Sequence, residues 1–189
     1  MKKIFTLALA TLMAGNMMAQ MHGVLNFAGA STANVLNQNV ENPSDTVKFE
    51  MVNAASGNIT LPKITNDNLV ISSFTIANVA FTMGDNHVVT MADQTFATKV
   101  TVGGEEKNIT GSSLKGTYNM ADNSLTLNLT FKYGAMPFDM TYSIKAYYIK
   151  PVASAITVNV GGAFNYANEN VSYSVRKYID NNVQKMDVE

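Results

Sequence analysis

Few residues in this chain have the type and spacing that chemistry requires. It has two histidines, His22 and His87, and no cysteine. His87 stands in Gly84-Asp85-Asn86-His87, where one imidazole beside one carboxylate falls short of a metal site and reads as a solvated turn. His22 lies near the expected mature N-terminus, where chains usually fray. Glu105 and Glu106 are adjacent, so on extended backbone they point to opposite faces and do not form a carboxylate pair. No serine sits in a Gly-x-Ser-x-Gly elbow. Without cysteine there is no thiolate nucleophile, thiolate metal site or disulfide framework. Gly103-Gly104 runs into two glutamates, not into a helix with Lys, and reads as a hairpin turn instead of a phosphate cradle. Asn58, Asn108, Asn128 and Asn170 each head an Asn-x-Ser/Thr triplet, close to chance in a chain this rich in Asn and Thr. The chain therefore reads as non-enzymatic, with no cofactor and no metal.

Composition narrows the partners. At 189 residues the chain is long enough for one domain with a sizeable core. Charged residues make up 14% and the formal net charge is −1, so a basic nucleic-acid footprint is absent. No polybasic stretch suited to anionic lipid appears either. Lys2 and Lys3 form a positive n-region, Ile4–Ala14 an apolar h-region, and MAGNMMAQ offers small residues for cleavage at Ala19. The apolar run is well short of the roughly 20 residues a spanning helix needs, so residues 1–19 read as a signal peptide. With no Cys after the h-region there is no lipoprotein signal. The expected mature chain begins near Gln20, carries a formal charge of −3, has no transmembrane segment, and is periplasmic, cell-surface or secreted.

The mature sequence alternates with period two almost throughout. In SLTLNLTFK, Leu125, Leu127, Leu129 and Phe131 face one way. From Pro137 to Tyr148, Phe138, Met140, Tyr142 and Ile144 continue that face, with Asp139, Thr141, Ser143 and Lys145 opposite. Such strands bury one side and wet the other, as antiparallel sheets do. Between them Tyr133-Gly134-Ala135-Met136 is a tight connection, with Gly134 at positive φ and Pro137 opening the returning strand. Further strands are expected at Val24–Ala30, Thr46–Met51, Asn58–Ile64, Leu69–Phe81, Val88–Met91, Phe96–Val102 and Lys107–Met120. The phase slips between Ile76 and Val79, which places a bulge near Asn78. The Asn-rich segment Asn34–Asp45 reads as a connection longer than a tight turn. The count, roughly eight or nine short antiparallel strands over residues 20–150, gives an all-β sandwich or barrel. Residues 151–189 read as a β-rich extension or the start of a second unit. There Ala155–Val160 is strand-like and Asn165–Asn170 loop-like. Val175, Ile179, Val183 and Met186 also have helical spacing, while β-branched and aromatic content favours a hairpin turning at Asp180-Asn181-Asn182.

The block LKGTYNMADNSLTLNLTFKYGAMPFDMTYSIKAYY, with ISSFTIANVAF before it, resembles the calycin-like β-barrel domain of exported proteins found mainly in Gram-negative anaerobes. Its most specific part is Tyr133–Phe138. The resemblance implies an all-β, antiparallel up-and-down, lipocalin-like barrel of about eight strands over residues 20–150. A lipocalin proper carries Gly-x-Trp on its first strand, and this chain has no Trp. The residues expected to line the barrel interior are Leu125, Leu127, Leu129, Phe131, Phe138, Met140, Tyr142 and Ile144. The expected function is binding of a small apolar ligand or a protein partner in the cell envelope. The alternative is a structural or adhesive envelope component whose filled barrel is a scaffold.

Overall fold

The computed structural model describes residues 23–84, 86–160, 164–180 and 183–188, and every regular element among them is a strand. In chain order these are β1 (Val24–Val35), β2 (Gln38–Asn53), β3 (Ser56–Leu61), β4 (Ile64–Thr65), β5 (Val70–Ile71), β6 (Phe74–Ala80), β7 (Thr82–Met83), β8 (Val88–Val102), β9 (Glu105–Asn119), β10 (Ser124–Tyr133), β11 (Met140–Val160), β12 (Phe164–Asp180) and β13 (Val183–Val188). The signal peptide expected over residues 1–19, and His22, lie outside the described residues. The sheet runs β6-β3-β2-β1-β11-β10-β9-β8-β7, all neighbours antiparallel. Since β7 follows β6 after the single residue Phe81, the two are halves of one bent strand, the first paired to β3 and the second to β8. The sheet thus returns on itself as an up-and-down barrel with eight wall strands, as expected.

Closure is completed by side chains. Between β6 and β8 the Gln94 amide does what a strand's backbone would: its Oε1 accepts the Ala80 N–H at 2.9 Å and its Nε2 donates to the Ala80 carbonyl at 2.8 Å. Lower on the same seam Thr98 Oγ1 donates to the Thr75 carbonyl at 2.8 Å. Gln94 lies between two register shifts in the β8–β9 ladder. Where two separate strands were expected around Ala92-Asp93-Gln94, β8 therefore runs through, bent by bulges that turn Gln94 toward the seam.

Several turns follow from residue chemistry. Leu36 and Asn37 both have positive φ, +54° and +61°, and make a two-residue turn, so Asn34–Asp45 is strand on both sides of a tight hairpin and not a long connection. The Asn side chains made that segment look like loop. Gly103 and Gly104, at +62° and +86°, turn β8 into β9. Asn78 has φ +56° and sits at the shift between the Gly57 and Ile59 pairings, the bulge that the phase slip announces. Leu69–Phe81 divides into β5 and β6, and β4 and β5 form a separate small hairpin. Asn66 fastens that hairpin: its Oδ1 accepts the Asn68 and Leu69 N–H groups at 2.9 and 2.7 Å, and its Nδ2 donates to the Val35 carbonyl at 3.1 Å. Ile64 and Ile71 are thereby buried over the barrel end that holds the β1–β2 turn.

The β10–β11 connection is wider than the sequence suggests. Gly134 does take positive φ, +60°. However, the Gly134 N–H donates to the Asn108 carbonyl at 2.7 Å, so the end of β10 follows β9 and leaves β11 without a partner until Met140 pairs with Phe131. Pro137 and Phe138 therefore lie in the connection. Phe138 is 53% exposed and does not line the interior, a correction to its expected place. Met136 packs against the core instead.

β11 passes through Lys150-Pro151 without a break and leaves the barrel wall. Ile149 pairs with Asn26 on one edge and Arg176 on the other, so β12 takes up the edge that β10 vacates. Asn165–Asn170, expected as loop, belongs to β12. The β12–β13 pairing, Asp180 opposite Val183, bears out the hairpin over the helical alternative.

Two outcomes test this architecture. Gln94→Ala should cost about 1 kcal/mol, the value of the lost hydrogen bonds at a half-exposed site, and should raise hydrogen exchange at the Ala80 amide selectively. Unchanged exchange there would mean the seam closes without Gln94. Met140→Asp places a charge at a fully buried position and should cost on the order of 3–5 kcal/mol. Its exposed neighbour Asp139→Ala should change urea stability by less than about 0.5 kcal/mol, and equal effects at the two positions would remove the half-buried strand.

Candidate functional site

Of the residues expected inside, Leu125, Leu127, Leu129, Phe131, Met140, Tyr142 and Ile144 are buried, none more than 4% exposed. They belong to one continuous core with Phe27, Phe49, Phe74 and others from every wall strand. Aromatic rings interlock across it: Phe27 meets Tyr118 edge-on at 4.9 Å, Phe49 meets Phe81 at 5.7 Å, and Phe74 meets Phe131 at 5.8 Å. Side chains thus occupy the axis of the barrel.

Polar chemistry collects at one place, near the barrel end covered by the β4–β5 hairpin. β2 bulges relative to β1 between the Gly29–Asp45 and Ser31–Asn42 pairs, with one extra residue in Asn42-Pro43-Ser44-Asp45. In a regular strand residues 42 and 45 would face opposite sides, and the extra residue lets both face inward. Pro43 is tolerated because a bulge leaves its missing N–H unneeded. Inside, Asp45 is 7% exposed and Ser31 6%. Ser31 Oγ donates a short hydrogen bond to Asp45 Oδ2, and Tyr142 Oη donates to the same oxygen at 3.2 Å. Asn42 Nδ2 donates to Asp45 Oδ1 at 2.6 Å. The Ser44 N–H donates to Asn42 Oδ1 at 3.1 Å, which fixes the orientation of that amide. A buried carboxylate is tolerable only with such partners. Above the cluster opens a niche of about 220 Å³, walled by Ala33, Val40 and Ile64, with Glu41 and Lys63 exposed at its rim.

Tyr142 was legible from the alternation, but Asp45 and Ser31 were not singled out. The signal was there, since Asp45 is in phase with Val47 and Phe49, and Ser31 with Ala33 and Val35. The other residues considered for chemistry are dispersed. His87 is exposed in its turn, and Glu105 and Glu106 bond different lysines, Lys107 at 2.6 Å and Lys99 at 2.7 Å.

Burial, and then the charge of Asp45, push the Tyr142 phenol well above its ordinary pKa. Tyr118 is pushed up to about 12, also chiefly by burial. The unfolded chain releases these protons near pH 10. Above that pH the native state binds more protons than the unfolded one, so stability falls as pH rises, and below it the contribution is intact. Each tyrosine withdraws up to about 1.4 kcal/mol per pH unit in that window. Urea denaturation from pH 8 to 11.5 should show this decline, and Tyr142→Phe should make it shallower while lowering stability at pH 8 by about 1–2 kcal/mol. Parallel pH profiles for the two proteins would place the Tyr142 hydroxyl in solvent.

No family model, no curated protein and no solved structure matches this chain.

Proposed function

We propose that this protein is an exported, non-enzymatic component of the cell envelope in which a filled, lipocalin-like barrel is a scaffold. The observation that carries the reading is the packed axis. Leu127, Phe131, Met140, Tyr142, Phe49 and Phe27 are at most 1% exposed and belong to one continuous apolar core inside the barrel. An eight-stranded barrel has just enough interior for side chains to fill or for one small ligand to occupy, and these large residues take the first course. The reading as a carrier of a small apolar ligand needs that same space and is the weaker for it. The outward residues Asn128, Lys132 and Lys145 are exposed and polar, which suits a wall facing water more than lipid. The leader-like first nineteen residues and the calycin-like block support export.

Native mass spectrometry of protein purified from the envelope fraction tests both halves. The expected species is a chain beginning at or near Gln20 with no bound apolar molecule, before or after incubation with a long-chain fatty acid. A stoichiometric apolar adduct would restore the carrier reading. An intact Met1 in the envelope species would overturn processed export.

A further inference from the structure

The niche beside Asp45 is rich in acceptors, a buried carboxylate and two hydroxyls whose hydrogens are already given to it, against the second amide hydrogen of Asn42 and the Thr65 hydroxyl. From it we infer a binding site for a compact cationic donor, a short-chain primary ammonium. A hydroxyl has a single hydrogen to give. Ser31 and Tyr142 both direct theirs to Asp45 Oδ2, so each has only lone pairs left for anything else. Asn42 donates one amide hydrogen to Asp45 Oδ1 and keeps a second, while its own oxygen is held by the Ser44 N–H. A carboxylate has about four acceptor positions, and these contacts use three of them. The cluster therefore retains acceptors on Asp45, Ser31 and Tyr142, together with a negative charge.

An ammonium group matches this arrangement. It carries three donors, no acceptor and the opposite charge, and a hydrogen bond between charged groups is stronger than a neutral one. An anion would meet the like charge of Asp45 and two hydroxyls whose hydrogens are already given to that carboxylate. At the rim Glu41 and Lys63 are both exposed and carry opposite signs, which leaves the entrance without a formal bias. The walls set the remainder of the ligand. Ala33, Val40 and Ile64 suit an aliphatic chain, and 220 Å³ is about the share of seven waters at roughly 30 Å³ each, so the chain is only a few carbons long. This site is independent of the filled axis, since it opens at the barrel end and displaces none of the core.

Methyl-resolved NMR of the mature protein, titrated with n-butylammonium, 1-butanol and butyrate, tests the inference. The three probes share a carbon chain and differ in donors and charge. Saturable shifts at the Ala33, Val40 and Ile64 methyls are expected with butylammonium, at least about tenfold tighter than with butanol, the difference made by a charged hydrogen bond. Butyrate should leave these methyls unmoved. Ala33→Leu, which fills the niche, should abolish the butylammonium shifts at Val40 and Ile64. Asp45→Asn should remove the preference for the cation over the alcohol. If that variant does not fold, the three probes on the parent protein still decide the charge selectivity and Ala33→Leu still decides the location. Equal shifts with butyrate, no response to any probe, or butylammonium binding undiminished in Ala33→Leu would each overturn the site.

Discussion

A sheet with most of its large apolar residues on one face must pack that face on another layer or curl until it covers itself, and here the curl ends at the seam between β6 and β8. Along most of that seam no backbone ladder joins the strands, because β6 pairs with β3 and only its continuation β7 reaches β8. An unpaired edge leaves N–H and C=O groups without partners and invites pairing with another chain. Gln94 supplies one acceptor and one donor to Ala80, the same complement that a strand residue would offer. The bulges flanking Gln94 bend β8 around the barrel and aim this side chain. Once the ring is closed, every inward residue of eight strands is committed to one interior, and the packed core follows.

Among the described residues that interior admits one charge. Asp45 sits at the level where β1 and β2 change register, and the bulge that brings it inward also brings Asn42 to meet it. Ser31 comes from β1 and Tyr142 from β11, strands that pairing makes neighbours although Tyr142 is 97 residues from Asp45 in sequence. Removing any partner would leave the carboxylate underbonded in a poorly solvated site, so the cluster stands or falls together. Among the described residues no buried side-chain nitrogen or oxygen lacks a partner. The cluster lies at the edge of the core, where the niche gives it a path to solvent.

The alternation made most of the wall legible, most clearly in β10, where Leu125, Leu127, Leu129, Phe131 and Tyr133 are all buried. Local chemistry also showed through at Gly134, whose φ is positive, and at Asn78, where the phase slip is a bulge. Local reading failed where a side chain's preference disagreed with its surroundings. The asparagines of Asn34–Asp45 favour turns and connections as isolated residues, yet pairing with β1 holds them in strand. Phe138 fits the alternation by count, but the bond from Gly134 to Asn108 carries the chain along β9 and places it outside.

By itself the sequence determined the all-β antiparallel class and the inward face of the clearly alternating strands such as β10, because period-two alternation is a local property that survives in any antiparallel partner arrangement. It also determined which chemistries have no supporting motif, since those depend on residue types and short spacings. Only the tertiary structure decided how the ring closes, that its axis is filled, and that Ser31, Asn42, Asp45 and Tyr142 meet. Those outcomes depend on register and bulges. A shift of one residue sends a side chain to the other face, and that choice is made between strands far apart in the chain, not within any one of them.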